Sequence, residues 1–213
     1  MNLFLEGPIR IGKSTALQNI LRPIQAKVGG FAVQRLWQDG AISGFRCVAL
    51  DGKFPKLDVI FPSSTSKKDE IFEDVFIYQR EFRPDVLKHS LSKALKYAAS
   101  DQCQIILLDE IGGQELMHPE IIHLLTEFFK LEKPRCGVLK SLFQVEQFAT
   151  DPIAAKQIYK EREILCERIT KNGLIYSVDP FSLPSAEQAL QDRINNWLER
   201  TGNQDPVIRH AFN

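Results

Sequence analysis

Apolar positions along the 213-residue chain change period several times. A short apolar run at residues 1–5, centred on Leu3-Phe4-Leu5, predicts a strand. Ala16-Leu17 and Ile20-Leu21 then recur at helical spacing and predict a helix beginning near Lys13. Residues 31–37 and 43–50 read as strands joined at Gln38-Asp39-Gly40, a hairpin signal. A turn at Asp51-Gly52 leads into another short strand at 54–61, and the polar stretch 62–68 predicts an exposed, mobile loop. From 85 to 99 the apolar residues Val86, Leu87, Leu91, Ala94, Leu95 and Ala98 mark a helix opened by Pro84-Asp85. The continuous run Gln104-Ile105-Ile106-Leu107-Leu108 is that of a central parallel strand covered on both faces. Helices at 119–131 and 152–169 are followed by strands at 135–139 and 174–178, and a last helix spans 184–199. The alternation predicts an α/β sandwich with a mainly parallel sheet, right-handed crossovers and ligands at the carboxyl ends of the strands. One domain over 1–213 is expected, with a β-hairpin extension at 31–61 and a loosely ordered tail at 200–213.

Composition narrows the function classes. Hydrophobic residues are 44% and charged residues 25% of the chain, the balance of a soluble globular protein, and the apolar runs are too short to span a bilayer. With no signal-peptide pattern at the start, a cytoplasmic location without membrane partners is expected. Lys+Arg and Asp+Glu are equal at 27 each, so no global field favours nucleic acid. Cys47, Cys103, Cys136 and Cys166 lie far apart with no C-x-x-C pair, and reduced, partly buried thiols are expected.

Candidate chemistry is concentrated at two places. Gly7-Pro8-Ile9-Arg10-Ile11-Gly12-Lys13-Ser14-Thr15 fits G-x-x-x-x-G-K-[ST], between the first strand and the first helix, where a phosphate-binding loop has to lie. Backbone N–H groups of such a loop surround the phosphates of a nucleotide. Lys13 would reach the β and γ phosphates, and the Ser14 hydroxyl would ligate Mg²⁺. Arg10 takes a position that many such loops give to Gly; its guanidinium either neutralises charge on the triphosphate, or points to solvent or pairs with Glu6. The second place is Asp109-Glu110-Ile111-Gly112, directly after the buried strand. Asp109 fits the carboxylate that holds the Mg²⁺ water shell, and Glu110 fits a general base or water-positioning group. A held water favours hydrolysis over transfer to an acceptor.

These residues carry a resemblance. The loop near the start, Gly29-Gly30-Phe31 with Gly44-Phe45 in the following hairpin, the turn at Asp51-Gly52, and Leu108-Asp109-Glu110-Ile111-Gly112 with Glu115 behind it are similar to the thermophilic and cancer-related nucleoside-triphosphatase family. The resemblance covers about the first 140 residues. It implies a RecA-like, three-layer P-loop NTPase that hydrolyses ATP, GTP and other nucleoside triphosphates to diphosphates with Mg²⁺ and broad base tolerance. In that family Arg10 stands for a small Gly, Gly113-Gln114 stand for Lys-Met, and the Asn-Arg-Asp-like segment has no good counterpart. A P-loop kinase of a nucleotide or small acceptor, and a nucleotide-binding module without turnover, are the other readings. Arg80 and Arg83 are candidates for a lid, as are Arg162 and Arg168, though surface ion pairs are the commoner role. His118 and His123 are five apart, the wrong spacing for a helix-face metal pair. Trp37 either touches a base at the hairpin rim or packs within the hairpin.

Overall fold

The computed structural model describes residues 1–61, 74–143, 145 and 152–202. The expected 62–68 loop, and the expected tail from 203 onward, lie outside the described residues.

One sheet organises the chain. Its strands are β1 (Asn2–Gly7), β2 (Val28–Gln38), β3 (Ala41–Ala49), β4 (Asp58–Phe61), β5 (Val75–Tyr78), β6 (Glu81–Phe82), β7 (Ile105–Ile111), β8 (Arg135–Lys140) and β9 (Gly173–Ser177). Their order is β6-β5-β3-β2-β7-β8-β1-β9, with β4 beside β2. From β2 to β9 the pairings are parallel, whereas β2-β3, β3-β5 and β5-β6 are antiparallel. The helices are α1 (Lys13–Leu21), α2 (Pro84–Ala99), α3 (Pro119–Lys130), α4 (Pro152–Thr170) and α5 (Leu183–Gly202), with 3-10 turns at Arg22–Lys27 and Gln114–Met117.

The strand residues alternate between two cores, which makes the third layer. On one face, Ile106 and Leu108 of β7 and Phe4 of β1 pack with Leu91 of α2, Phe128 of α3 and Leu165 of α4. On the other, Ile105, Leu107, Leu3 and Leu5 pack with Leu17 of α1 and with Leu190 and Ile194 of α5. A strand buried on both faces has no polar alternation, which is why 104–108 reads as an unbroken apolar run.

The hairpin is built into the sheet rather than appended to it. β2 pairs in parallel with β7 over Val28–Ala32 and antiparallel with β3 over Phe31–Gln38, while its far half also pairs in parallel with β4 from Arg35↔Asp58 to Gln38↔Phe61. Gly30 permits this close approach: its φ is 95°, and a Cβ there would lie 2.0 Å from the Leu107 carbonyl oxygen. β5 and β6 were not expected. Their two-residue turn places Gln79 and Arg80 at φ 48° and 72°, a conformation that Asn-Gly sequences signal and Gln-Arg does not.

The five strands of the parallel part run the same way, so the carboxyl ends of β1, β7 and β8 meet on one edge. In register, Gly7 of β1 lies beside Lys140 of β8, and Asp109 of β7 beside Val138.

Candidate active site

β1 ends at buried Gly7 and the chain turns out through the exposed Pro8, Ile9 and Arg10. Ile11 returns to pack on the core beneath α1. Gly12 then precedes α1 with φ 100°, a left-handed conformation that lets the loop feed directly into the helix. Lys13 and Ser14 therefore open α1, and Thr15 follows on its exposed side. Lys13 is only 5% exposed. Its ammonium curls back on the loop and donates to the Gly7 carbonyl at 2.9 Å and the Pro8 carbonyl at 2.5 Å. Burial lowers its proton affinity, while the Glu110, Asp109 and Glu6 carboxylates oppose that shift.

The two sequence candidates meet across 95 residues: the Ser14 hydroxyl donates to Asp109 Oδ1 at 2.8 Å. Asp109 is 1% exposed. Burial pushes its carboxyl up to about 7; the Ser14 bond and Lys13 pull the other way, and Glu110 adds to the rise. The β7-β8 register skips between Asp109 and Ile111, so the half-buried Glu110 falls outside the ladder.

Around this pair stand Glu115, which the resemblance already set behind Glu110, and two further charged groups, Lys140 and Arg162, that the sequence alone did not bring here. Glu115 Oε1 accepts the Gly112 and Gly113 backbone N–H groups at 2.7 and 2.9 Å, which fixes the turn after Glu110. Lys140, at the end of β8, lies 3.4 Å from the other Glu115 oxygen. Burial alone would lower the Lys140 proton affinity, but Glu115 and Glu110 outweigh it and the group is raised. Arg162 of α4 is buried, donates to Glu6 at 2.6 Å, and holds the Lys140 carbonyl at 3.0 Å. It is part of the wall beneath β1 and β8. The position of Lys140, at the carboxyl end of an apolar parallel strand, was the available signal for it.

The remaining candidates fall outside this cluster. Glu6 is taken by Arg162, and the Arg10 guanidinium lies instead over the Trp37 ring, 5.8 Å from its centroid. Arg83 donates to the Val75 carbonyl within the β5-β6 hairpin. Arg168 donates to the Thr126 hydroxyl. His118 stacks on Phe82 at 5.0 Å, and His123 is exposed beside Glu127. Cys47, Cys103 and Cys136 are buried free thiols, and Cys166 is half-buried.

A family described as NTPase matches residues 2–172. The chain belongs to this nucleoside-triphosphatase family. Among its curated relatives, nucleoside-triphosphatase THEP1 of Thermotoga sp. strain RQ2 is 23% identical over 175 residues, covering 81% of this chain and 88% of the relative. The THEP1 of Pyrococcus abyssi is 30% identical over 138 residues, covering 63% and 71%. Two solved structures share the fold at a TM-score of 0.52. The crystal structure of THEP1 from Aquifex aeolicus is 17% identical and covers 89% of this chain and 96% of that one. The solution structure of a human cancer-related nucleoside triphosphatase is 20% identical, covering 90% and 98%. The NTPase is thus an α/β protein with a mixed, mostly parallel sheet, and among its described residues no helix is long and apolar enough to cross a membrane.

The donor set of the NTPase suits a hard dication. A hydroxyl and a desolvated carboxylate are oxygen ligands, and among the described residues no group of three or more His, Cys, Asp or Glu side chains forms a cage of its own. Mg²⁺ is commonly held in that way, by one or two protein oxygens with phosphate and water completing the shell.

Burial of Asp109 has a measurable consequence in metal-free buffer. Its folded carboxyl titrates near 7, above the ordinary value near 4, so the folded state binds the proton more tightly than the unfolded chain. Its favourable contribution is full below pH ~4 and is lost as pH rises through ~7, about 4 kcal/mol in all by linkage. Asp109→Asn removes that dependence. Urea unfolding between pH 4 and 8 is expected to show the variant gaining on the wild type as pH rises.

Proposed function

We propose that this NTPase hydrolyses nucleoside triphosphates to diphosphate and phosphate with Mg²⁺, tolerates any of the common bases, and acts as one domain over residues 1–213. The observation that carries the reading is the 2.8 Å contact between Ser14 on the phosphate loop and the buried Asp109 at the end of β7, with Glu110 following and Lys13 alongside.

The backbone N–H groups of the loop from Gly7 through Pro8, Ile9, Arg10, Ile11 and Gly12 to Lys13, Ser14 and Thr15 cradle the phosphates; Pro8 contributes only its rigid turn, having no N–H. The loop feeds the amino end of α1, whose dipole favours negative charge. The Lys13 ammonium exchanges its two carbonyl partners for β and γ oxygens, a charge-assisted bond in place of neutral ones. Ser14 and Asp109 hold Mg²⁺, which when bound supplies positive charge against the phosphate oxygens. Glu110 accepts a hydrogen bond from the attacking water and takes its proton as the water oxygen bonds to the γ phosphorus and the bond from that phosphorus to the β–γ bridging oxygen breaks, releasing the diphosphate. Glu115 keeps the Gly112-Gly113 turn in place behind it. Base tolerance follows from recognition through phosphate: the loop's contacts are to groups that every nucleoside triphosphate shares.

Phosphate release from ATP, GTP, CTP and UTP, each with Mg²⁺ or with EDTA, tests the proposal. All four are expected to turn over, with kcat within about tenfold of one another, and EDTA to stop release. Activity confined to one base overturns the tolerance, and activity unchanged by EDTA overturns the metal assignment.

A further inference from the structure

Arg10 connects the phosphate loop to the antiparallel half of the sheet. Its backbone is held at φ 63°, a left-handed conformation unusual for a side chain of this size, and its guanidinium rests over the Trp37 ring at 5.8 Å. The surface beneath it is fixed from both sides. The Trp37 indole N–H donates to Asp58 Oδ1 at 2.8 Å, and Arg35 grips the same carboxylate through Nε at 2.7 Å and a terminal nitrogen at 3.1 Å. Arg35 and Trp37 come from β2 and Asp58 from β4, where Arg35 and Asp58 are register partners. The indole is therefore oriented by the sheet, whereas the exposed guanidinium above it is held by the ring contact and by the attraction of the nearby Asp58 carboxylate.

Two forces compete for that guanidinium. A cation over an exposed aromatic face is weakly held, and a charge-assisted bond to a phosphate oxygen is stronger. Arg10 lies three residues before Lys13 on the loop read above as the triphosphate site. An anion of several charges seated there draws the guanidinium more strongly than the indole and the single Asp58 carboxylate together do.

We propose that Arg10 is a second phosphate-contacting cation of this enzyme, held over Trp37 and transferred from the indole face to the phosphate oxygens when a triphosphate occupies the loop. The inference rests on the loop being the triphosphate site. The side chain then adds fixed positive charge where negative charge develops during cleavage, and Trp37 is the competitor that sets how much binding energy the transfer uses. Glu6 takes no part, because Arg162 already neutralises it.

The chain has two tryptophans, Trp37 and Trp197, so Trp197→Phe leaves Trp37 as the sole indole reporter. Tripolyphosphate with Mg²⁺ carries the charge without a base. Its titration is expected to change Trp37 emission in a saturable way. Arg10→Gly, which accepts the same positive φ, is expected to abolish that change while equilibrium dialysis still shows tripolyphosphate bound within about tenfold of the parent affinity. Its kcat for ATP is expected to fall about 100-fold, the scale of one lost transition-state donor, with KM within about threefold. Trp37→Leu frees the guanidinium and is expected to tighten tripolyphosphate binding, the opposite of what structural damage does. Emission that ignores bound tripolyphosphate, a response that persists in Arg10→Gly, or a response to adenosine alone overturns the transfer. If phosphate release from ATP is intact in those cases, the hydrolase reading survives and Arg10 alone has failed. If the parent neither binds tripolyphosphate nor turns over ATP, both fall together.

Discussion

Lys13→Ala is expected to lower kcat/KM for Mg·ATP by about 1000-fold, because one cation is lost from both binding and transition-state stabilisation. The side chain is nearly buried and already pays desolvation, which lowers its proton affinity against the pull of Glu110, Asp109 and Glu6. Its bonds to the Gly7 and Pro8 carbonyls hold it in place without a counter-charge in contact. A triphosphate supplies that charge, so the ammonium gains more on binding than an exposed lysine would. Alanine leaves the α1 backbone intact, and its melting temperature is expected to stay within a few degrees of the wild type, since removing a buried cation offsets the loss of two hydrogen bonds. Arginine is not expected to rescue it: a planar fork on a longer stem does not reproduce the compact ammonium that the Gly7 and Pro8 carbonyls accept from. Steady-state phosphate release together with thermal unfolding checks both halves of the expectation.

Glu110→Gln carries the second large effect, a fall in kcat of about 100- to 10,000-fold with nucleotide affinity held within about threefold. The amide keeps the shape of the carboxylate and its place outside the β7-β8 ladder, but it cannot take a proton from water. Binding survives because the loop, Lys13, Ser14 and Asp109 are untouched. Isothermal titration with Mg·ATP beside a single-turnover assay separates the two quantities. Unchanged turnover in this variant, with tight binding, would instead describe a protein that holds nucleotide without using Glu110, and equal loss of binding and turnover would make Glu110 a structural support like Glu115.

The parts of the site that were legible in the sequence are those made by neighbours in the chain. Gly7 to Thr15 carries its own geometry: a strand enters it, a helix leaves it, and Gly12 supplies the left-handed step. Asp109 and Glu110 follow a continuous, β-rich apolar run of the kind a doubly covered strand carries, so their place at a carboxyl end could be expected in advance. The join of the two at 2.8 Å was implied by the parallel order of the strands rather than by either motif alone.

What was not legible depends on contacts between distant residues. Glu6 and Arg162 are 156 residues apart, and nothing local distinguishes Arg162 from Arg168, the other arginine of α4, until the helix packs against β1 and β8. Lys140 ends a strand whose direction fixes it beside Gly7; the apolar run before it marks a carboxyl end but not which charged groups it meets there. The β5-β6 hairpin lacked a turn signal because Gln79 and Arg80 adopt positive φ without Gly or Asn. Arg10 stands out in the loop, but its partner Trp37 lies on β2, oriented by an aspartate on a strand that pairs with the far half of β2. Tertiary packing decided each of these.

The central claim is that the γ-phosphoryl group of a nucleoside triphosphate passes to a water molecule held by Glu110. Turnover of Mg·ATP in ¹⁸O-labelled water, with the products resolved by mass spectrometry, tests it most directly. One labelled oxygen per phosphate released and none in the diphosphate is the predicted result. Unlabelled phosphate, label in the diphosphate, or phosphoryl groups recovered on an acceptor in place of free phosphate would contradict it.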